Sequence, residues 1–285
     1  MTRAYEMTVF SNDKECAEAI PRTKSVKILV KPSQASARAG NIFVLTTATK
    51  LAEVAEFVRR ANECHRLRAL FIRSDVDPKL LPQMLDRAKL RVLRNTLVHA
   101  GPELPRRVMQ AWQHGMQHEL IALADRIGDR LLVVTCAFET LEAAFDDVAA
   151  LRGIAVSERS RFEVSSEGSY IHWPAGDVHV DIDSLRYATN PDWRKRQDLL
   201  RLRDDKRFGA AIVRLRKKRG LKQTDIDGVS ERQLRRIESG DSATVNALEC
   251  LAGSHGLSLK EYLNSIAQEI RRSPIGSEGA KIKPD

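Results

Sequence analysis

QTDIDGVSERQLRRIESG, residues 223–240, holds two helical signals with a turn between them. Gly228 suits that turn, because a residue without a Cβ takes positive φ at little steric cost. Ser230 stands where a helix N-cap belongs, and its hydroxyl has the reach to accept a bond from an orphan N–H of the first turn. Gly240 stands where a left-handed residue ends a helix. Between them Leu234 and Ile237, three apart, face inward, which leaves Glu231, Arg232, Gln233, Arg235 and Arg236 outward. The first signal, KQTDID at 222–227, is short, so the turn arrives early.

The flanks carry matching signals. FGAAIVRLRKKRG at 208–220 precedes the motif; ATVNALECLAGSHG at 243–256 and SLKEYLNSIAQEI at 258–270 follow it. Five short helices over 208–272 make a small all-α domain. Its expected core is Ala211, Ile212, Leu215, Leu221, Ile226, Leu234, Ile237, Leu248, Leu251, Leu257, Leu259 and Leu263.

Charge concentrates around the same stretch. The 285-residue chain carries a formal +9, and residues 186–236 alone hold seventeen Lys and Arg against seven Asp and Glu, a net +10. Such a local excess points to an acidic partner. The composition, 42% hydrophobic and 30% charged, is that of a soluble protein, with neither an apolar run long enough to span a bilayer nor a signal-peptide core in residues 1–20. A cytoplasmic protein is therefore expected. Cys16, Cys64, Cys136 and Cys250 are too far apart for a metal half-site and are expected as reduced thiols, mostly buried.

Toward the N-terminus the pattern is that of a small α/β domain over 1–128. Strands are expected at 27–30, 41–47, 69–73 and 91–93, and helices through LAEVAEFVRRAN at 51–62 and PKLLPQMLDRA at 78–88. A long helix is expected at 103–127, with Val108, Trp112, Met116, Leu120, Leu123 and Ile127 along one stripe and Gly128 as its stop. The period then changes. Residues 131–138, 141–145, 161–164 and 170–173 are β-prone around the turn-forming SSEGS, giving a strand-rich α+β domain over 129–189. Asn190 and Pro191 punctuate the chain before a basic linker helix over 190–207, whose Trp193, Leu199, Leu200 and Leu202 suit a dimer contact or, equally, packing on the middle domain. The tail 273–285 reads as disordered. The fold class is thus α+β multidomain, with an all-α helix-turn-helix domain at the C-terminal end.

Two stretches resemble known families. RLRKKRGLKQ at 214–223, GVS at 228–230, the helix ending RRIESG and LECLAGSHGLSLKEYL at 248–263 together resemble the helix-turn-helix domain of the Cro and phage-repressor class, also called xenobiotic-response-element-like. The resemblance covers about 208–266. It implies that the second helix of the pair enters the DNA major groove while the first crosses the backbone. Glu231, Arg232 and Arg236 would occupy base-contacting positions, with Gln233 and Arg235 beside them; Arg pairs with guanine, Gln with adenine and Glu with cytosine. Gln223 would touch a phosphate, and Arg216, Lys217, Arg219, Lys222 and Ser230 would join it at the DNA backbone. Glu238 would support the fold. Family members carry a longer stretch between Leu-x-Gln and Val-Ser than this chain does. The second resemblance is that of GSYIHWPAGDVHVDIDSLR, 168–186, to the end of a small bacterial domain of unknown function numbered 2442. It covers about 129–187 and implies architecture and a regulatory setting, with no chemistry.

Other constellations are weaker. His114 and His118 lie four apart on the expected long helix but lack the Glu of zinc proteases. His172 and His179 with Asp177, Asp181 and Asp183 offer metal-ligand types at alternating strand positions, against the simpler reading that Asp181 caps a short helix. Ser74, Asp75 and Asp77 follow a strand at its carboxyl end, where a plain strand-to-helix turn is the simpler reading. There is no phosphate-binding loop, dinucleotide turn or nucleophile elbow. No enzyme, cofactor or metal is expected. The expectation is a bacterial or phage transcriptional regulator, a repressor, that binds double-stranded operator DNA as a homodimer. The alternative is an antitoxin or anti-defence protein, whose residues 1–128 grip a protein partner while the C-terminal domain binds DNA.

Overall fold

The computed structural model describes residues 6–29, 40–93 and 95–272. Val30, expected to end a strand, and the tail 273–285 lie outside the described residues. The chain divides into two compact units, Met1–Pro191 and Asp192–Asp285. Among the described residues no helix is long and apolar enough to cross a membrane.

The first unit opens with β1 (Met7–Ser11), α1 (Lys14–Ala19), β2 (Val26–Leu29), β3 (Ile42–Thr47), α2 (Leu51–Glu63), β4 (Leu67–Arg73), α3 (Leu81–Ala88), β5 (Thr96–His99) and α4 (Glu103–His114). Its five strands pair in parallel in the order β2-β1-β3-β4-β5. All six residues of β3 are buried, which is how a parallel strand covered on both faces reads. Alternate residues serve opposite cores. Phe10, Val44, Leu70 and Ile72 meet α2 and α3, while Val9, Phe43, Leu45 and Phe71 meet Cys16 of α1 and Val108 and Trp112 of α4.

Two expectations fail in this region. The strand expected at 91–93 is loop, and β5 lies at Thr96–His99, in register with β4 from Leu70 to Arg73. The long helix expected at 103–127 ends at His114, where Gly115 turns left-handed at φ 70°. Residues 121–127 instead form β6 (Ile121–Ile127), which pairs antiparallel with β7 (Arg130–Thr135) around Gly128, at φ 61°. The apolar spacing ran across the break by coincidence: Met116 and Ile127, on the expected stripe, are exposed.

After β8 (Thr140–Ala144) come β9 (Glu163–Val164), β10 (Ile171–Trp173), β11 (Val178–Val180) and α5 (Ile182–Thr189). Two antiparallel sheets, β6-β7-β8 and β11-β10-β9, share a core of Leu131, Val133, Phe145, Ile171, Val180 and Leu185 around fully buried Trp173. The Trp173 indole N–H donates to Arg159 O at 3.2 Å, so its burial leaves no orphan donor.

In the second unit α6 (Pro191–Lys218) runs unbroken through both the expected linker helix and the first helix of the all-α domain. No proline follows Pro191 in this stretch, and Gly209 is accommodated because its backbone is packed. A three-residue 3-10 turn, Gln223–Asp225, is all that remains of the short second helix. Then follow α7 (Glu231–Ser239), α8 (Val245–Ser254) and α9 (Leu259–Arg272). The core joins Ala211, Ile212, Ile226, Leu234, Ile237 and Leu251 to Tyr262 and Ile266. Leu263, expected inside, is exposed; Tyr262 fills that place one residue earlier.

Candidate nucleic-acid interface

Local chemistry fixes both ends of α7. Ser230 Oγ accepts from Gln233 N at 3.3 Å, and Gly240, at φ 108°, closes the helix with its N–H on Ile237 O at 3.1 Å. Leu234 and Ile237 are almost fully buried. The end of α7 also touches α6 backbone to backbone. A Cβ on Gly209 would lie 2.6 Å from the carbonyl oxygens of Ile237 and Glu238, and one on Gly240 would lie 3.1 Å from the Lys206 backbone.

A polar network ties the 3-10 turn and α6 to α7. Arg216 Nε donates to Glu238 Oε1 at 2.6 Å and a terminal nitrogen to Oε2 at 3.1 Å, while its other terminal nitrogen donates to Leu221 O at 2.8 Å. Gln223 Nε2 donates to Glu238 Oε2 at 2.6 Å, and Gln223 Oε1 accepts from Arg235 Nε at 3.2 Å. Arg216, expected at the DNA backbone, is therefore a buried internal group. Gln223, expected on a phosphate, has both ends of its amide bonded within the unit. Glu238 is the hub that joins them.

The remaining expected residues are exposed. Leu234 and Ile237 point into the core, so with ~100° between successive residues the outward face of α7 centres on Arg232 and Arg236, flanked by Arg235. Among the described residues no hydrogen bond or ion pair reaches the Arg232 or Gln233 side chain. Arg235 pairs with Glu231 at 3.3 Å and Arg236 with Asp241 at 2.6 Å. Ser230, Arg232, Gln233, Arg236, Asp241 and Ser242 line a shallow hollow. Lys217, Arg219 and Lys222 are exposed at the end of α6 and the entry to the 3-10 turn. Lys218 is bonded to Glu269 of α9, and this hydrogen bond holds the Glu269 carboxyl below its ordinary range. Asp241 and Gly209 escaped the sequence reading. Asp241 lies beyond the helix stop, and only the packed structure shows why Gly209 is glycine.

Elsewhere the expected constellations separate. His114 ends α4, and His118, beyond Gly115, bonds Glu139 at 2.9 Å, so the two do not share a helix face. Asp77 caps a 3-10 turn through Lys79 N at 2.9 Å, and Asp75 accepts from Thr49 N at 3.1 Å and from the Thr49 hydroxyl. In doubly wound sheets ligands enter where strand order reverses, here between the carboxyl ends of β1 and β3. Asp13 and Arg73 meet there in a two-point ion pair, with Nε to Oδ2 at 2.6 Å and a terminal nitrogen to Oδ1 at 3.1 Å, and Arg73 also pairs with Glu15 at 3.3 Å; together with Lys14, Thr47 and Lys50 they line an open crevice. Asp181 caps α5 through Ser184 N at 2.7 Å, and Asp183 pairs with Arg186 at 3.7 Å. His172, Asp177 and His179 stay together, with one donor atom of each within 4.8 Å of the others.

No curated protein and no solved structure matches the chain. Residues 132–190, the stretch from β7 through α5, match the family described as "Protein of unknown function (DUF2442)".

Proposed function

We propose that the protein is a sequence-specific double-stranded DNA-binding transcriptional regulator, a repressor that reads its operator with α7. One observation carries the reading: α7, capped at both ends and clamped by Leu234, Ile237 and Glu238, offers Arg232, Arg235 and Arg236 on its outward face with Glu231 and Gln233 exposed on its two flanks, and Lys217, Arg219 and Lys222 are exposed in the same unit. The likeness of these residues to the Cro and phage-repressor class supports the same reading. In it, Lys217, Arg219 and Lys222 take phosphates and contribute affinity. Arg232 and Arg236 take base edges and contribute specificity. Arg216 and Gln223 act from inside, by holding α7 at its angle. A homodimer would set two such helices in successive major grooves, one helical turn of DNA apart.

The test is a salt titration of binding to the duplex upstream of the protein's own coding sequence and to a scrambled duplex. It compares the intact chain with Arg232→Ala/Arg236→Ala. The expected result is a preference of several kcal/mol for the native duplex, typical of specific sites, lost in the double variant while a salt slope persists. Equal binding to both duplexes, followed by a flat selection from random sequence, would sink the proposal.

A further inference from the structure

We infer that the β10–β11 hairpin is a binding site for a borderline transition-metal dication, zinc in the first place, with His172, His179 and Asp177 as its three protein ligands.

The argument starts with register. β10 and β11 are antiparallel, and His172 stands directly opposite His179. Directly opposed residues on one face of a sheet have Cβ atoms only ~5 Å apart. The two imidazoles lie face to face with centroids 4.4 Å apart and planes 11° from parallel, and Tyr170 packs its edge against His179 at 4.8 Å.

The turn supplies the third ligand. Asp177 follows the 3-10 turn Pro174–Gly176 and takes a left-handed φ of 48°, with its N–H on Pro174 O at 3.4 Å. Glycine takes that conformation more readily than an L-residue with a side chain. The acid that stands there brings Oδ1 to 3.3 Å from His172 Nε2. That nitrogen is buried and has no hydrogen-bond partner, because the carboxylate approaches without hydrogen-bond alignment. A buried polar atom left unsatisfied calls for a physical reason. A lone pair kept for a cation is such a reason.

The distances fit a small adjustment. Zinc binds imidazole nitrogen at about 2.0–2.1 Å and carboxylate oxygen at about 2.0–2.2 Å, so tetrahedral donors sit roughly 3.3 Å apart. The present donors lie within 4.8 Å of one another. Closing the difference needs rotation about the outer His and Asp torsions, which are broad and cost little. Two imidazoles and one carboxylate with no thiolate favour a borderline dication over calcium or magnesium. Asp177 and His179 are exposed, so the fourth position is left to water.

The experiment titrates the full chain with zinc chloride. Calorimetry reads affinity and stoichiometry, and long-range nitrogen–proton spectra of the histidine rings read which side chains bind. One zinc per chain is expected, moving the His172 and His179 ring nitrogens together. His179→Ala is expected to weaken binding by at least about ten-fold, a typical cost even for a group one shell removed from a metal. Asp177→Asn keeps the left-handed turn, which Asn tolerates, and is expected to weaken binding as well. Zinc that moves neither ring, or binds the His179→Ala chain as tightly as the unaltered one, would overturn the inference and assign the metal to other groups such as Cys64.

Discussion

The Arg216 guanidinium and the Glu238 carboxylate face each other edge to edge, at 2.6 and 3.1 Å, with both side chains less than a tenth exposed. They stand 22 residues apart in sequence and tie α6 to the C-terminal turn of α7. Gln223 shares the same carboxylate, so one acid seats both the shortened 3-10 turn and the helix above it.

Removing one partner strands the other. Glu238→Leu should therefore destabilise the C-terminal unit by about 3–5 kcal/mol, the usual cost of an orphaned buried charge. Arg216→Met with Glu238→Leu should cost less than either single change, because no charge is then left buried. Denaturant melts of the three variants check this. A double variant as unstable as the sum of the singles would show that the pair acts as two independent groups.

Gly209 and Gly253 are both helical glycines, yet alanine should act on them in opposite directions. A Cβ at Gly253 meets nothing within 4 Å, so Gly253→Ala should stabilise by about 0.5–1 kcal/mol through helix propensity and the lost freedom of the unfolded chain. A Cβ at Gly209 meets two backbone carbonyls at 2.6 Å, and the clash should outweigh that gain, for a net loss of about 1–2 kcal/mol. Paired thermal melts decide the signs.

These contacts mark where the sequence was legible. The caps and inward pair of α7 were readable, because Ser230, Leu234, Ile237 and Gly240 act within one helix and obey its period. The strands at 42–47 and 67–73 were readable because buried parallel strands are continuously apolar. The segment 115–127 misled because Leu120, Leu123 and Ile127 fit both a helix stripe and a hairpin, and only the left-handed Gly115 decides between them. At the candidate site, exposure was foreseeable for α7, but Arg216 was not. A basic residue among four others reads as surface until an acid 22 residues away folds onto it.

Asp13 should make the first unit acid-sensitive. Burial pushes its carboxyl up, but hydrogen bonds from Arg73 and Cys16 and the Arg73 charge outweigh this and hold it below the ordinary carboxylate range. A folded value below the unfolded one means stability that is present above the unfolded pKa and lost as pH falls through the folded one. The window therefore opens below about pH 4. Asp13→Asn should cost about 2–3 kcal/mol at neutral pH, less than a fully buried pair because Arg73 is partly exposed. It should also flatten the pH dependence of unfolding in that window. An unchanged acid profile in the variant would rule out Asp13 as its source.

Asp241 bears on the proposed DNA reader without touching the fold. Its pair with Arg236 is short at 2.6 Å, yet the side chains are 47% and 70% exposed, so the pair adds little stability, within about 1 kcal/mol. To engage DNA, Arg236 must exchange this carboxylate for a phosphate or a base edge, and Asp241 then stands as a negative charge beside the backbone. Asp241→Asn should therefore melt as the unaltered chain does and bind DNA more tightly, by about five-fold for ~1 kcal/mol. The salt dependence separates the two destinations of Arg236. A phosphate contact raises affinity for native and scrambled duplexes alike and steepens the salt slope by about one. A base contact raises affinity for the native duplex alone. Unchanged affinity for both would place Arg236 and Asp241 outside the interface and move the reading face of α7 toward Arg232 and Gln233.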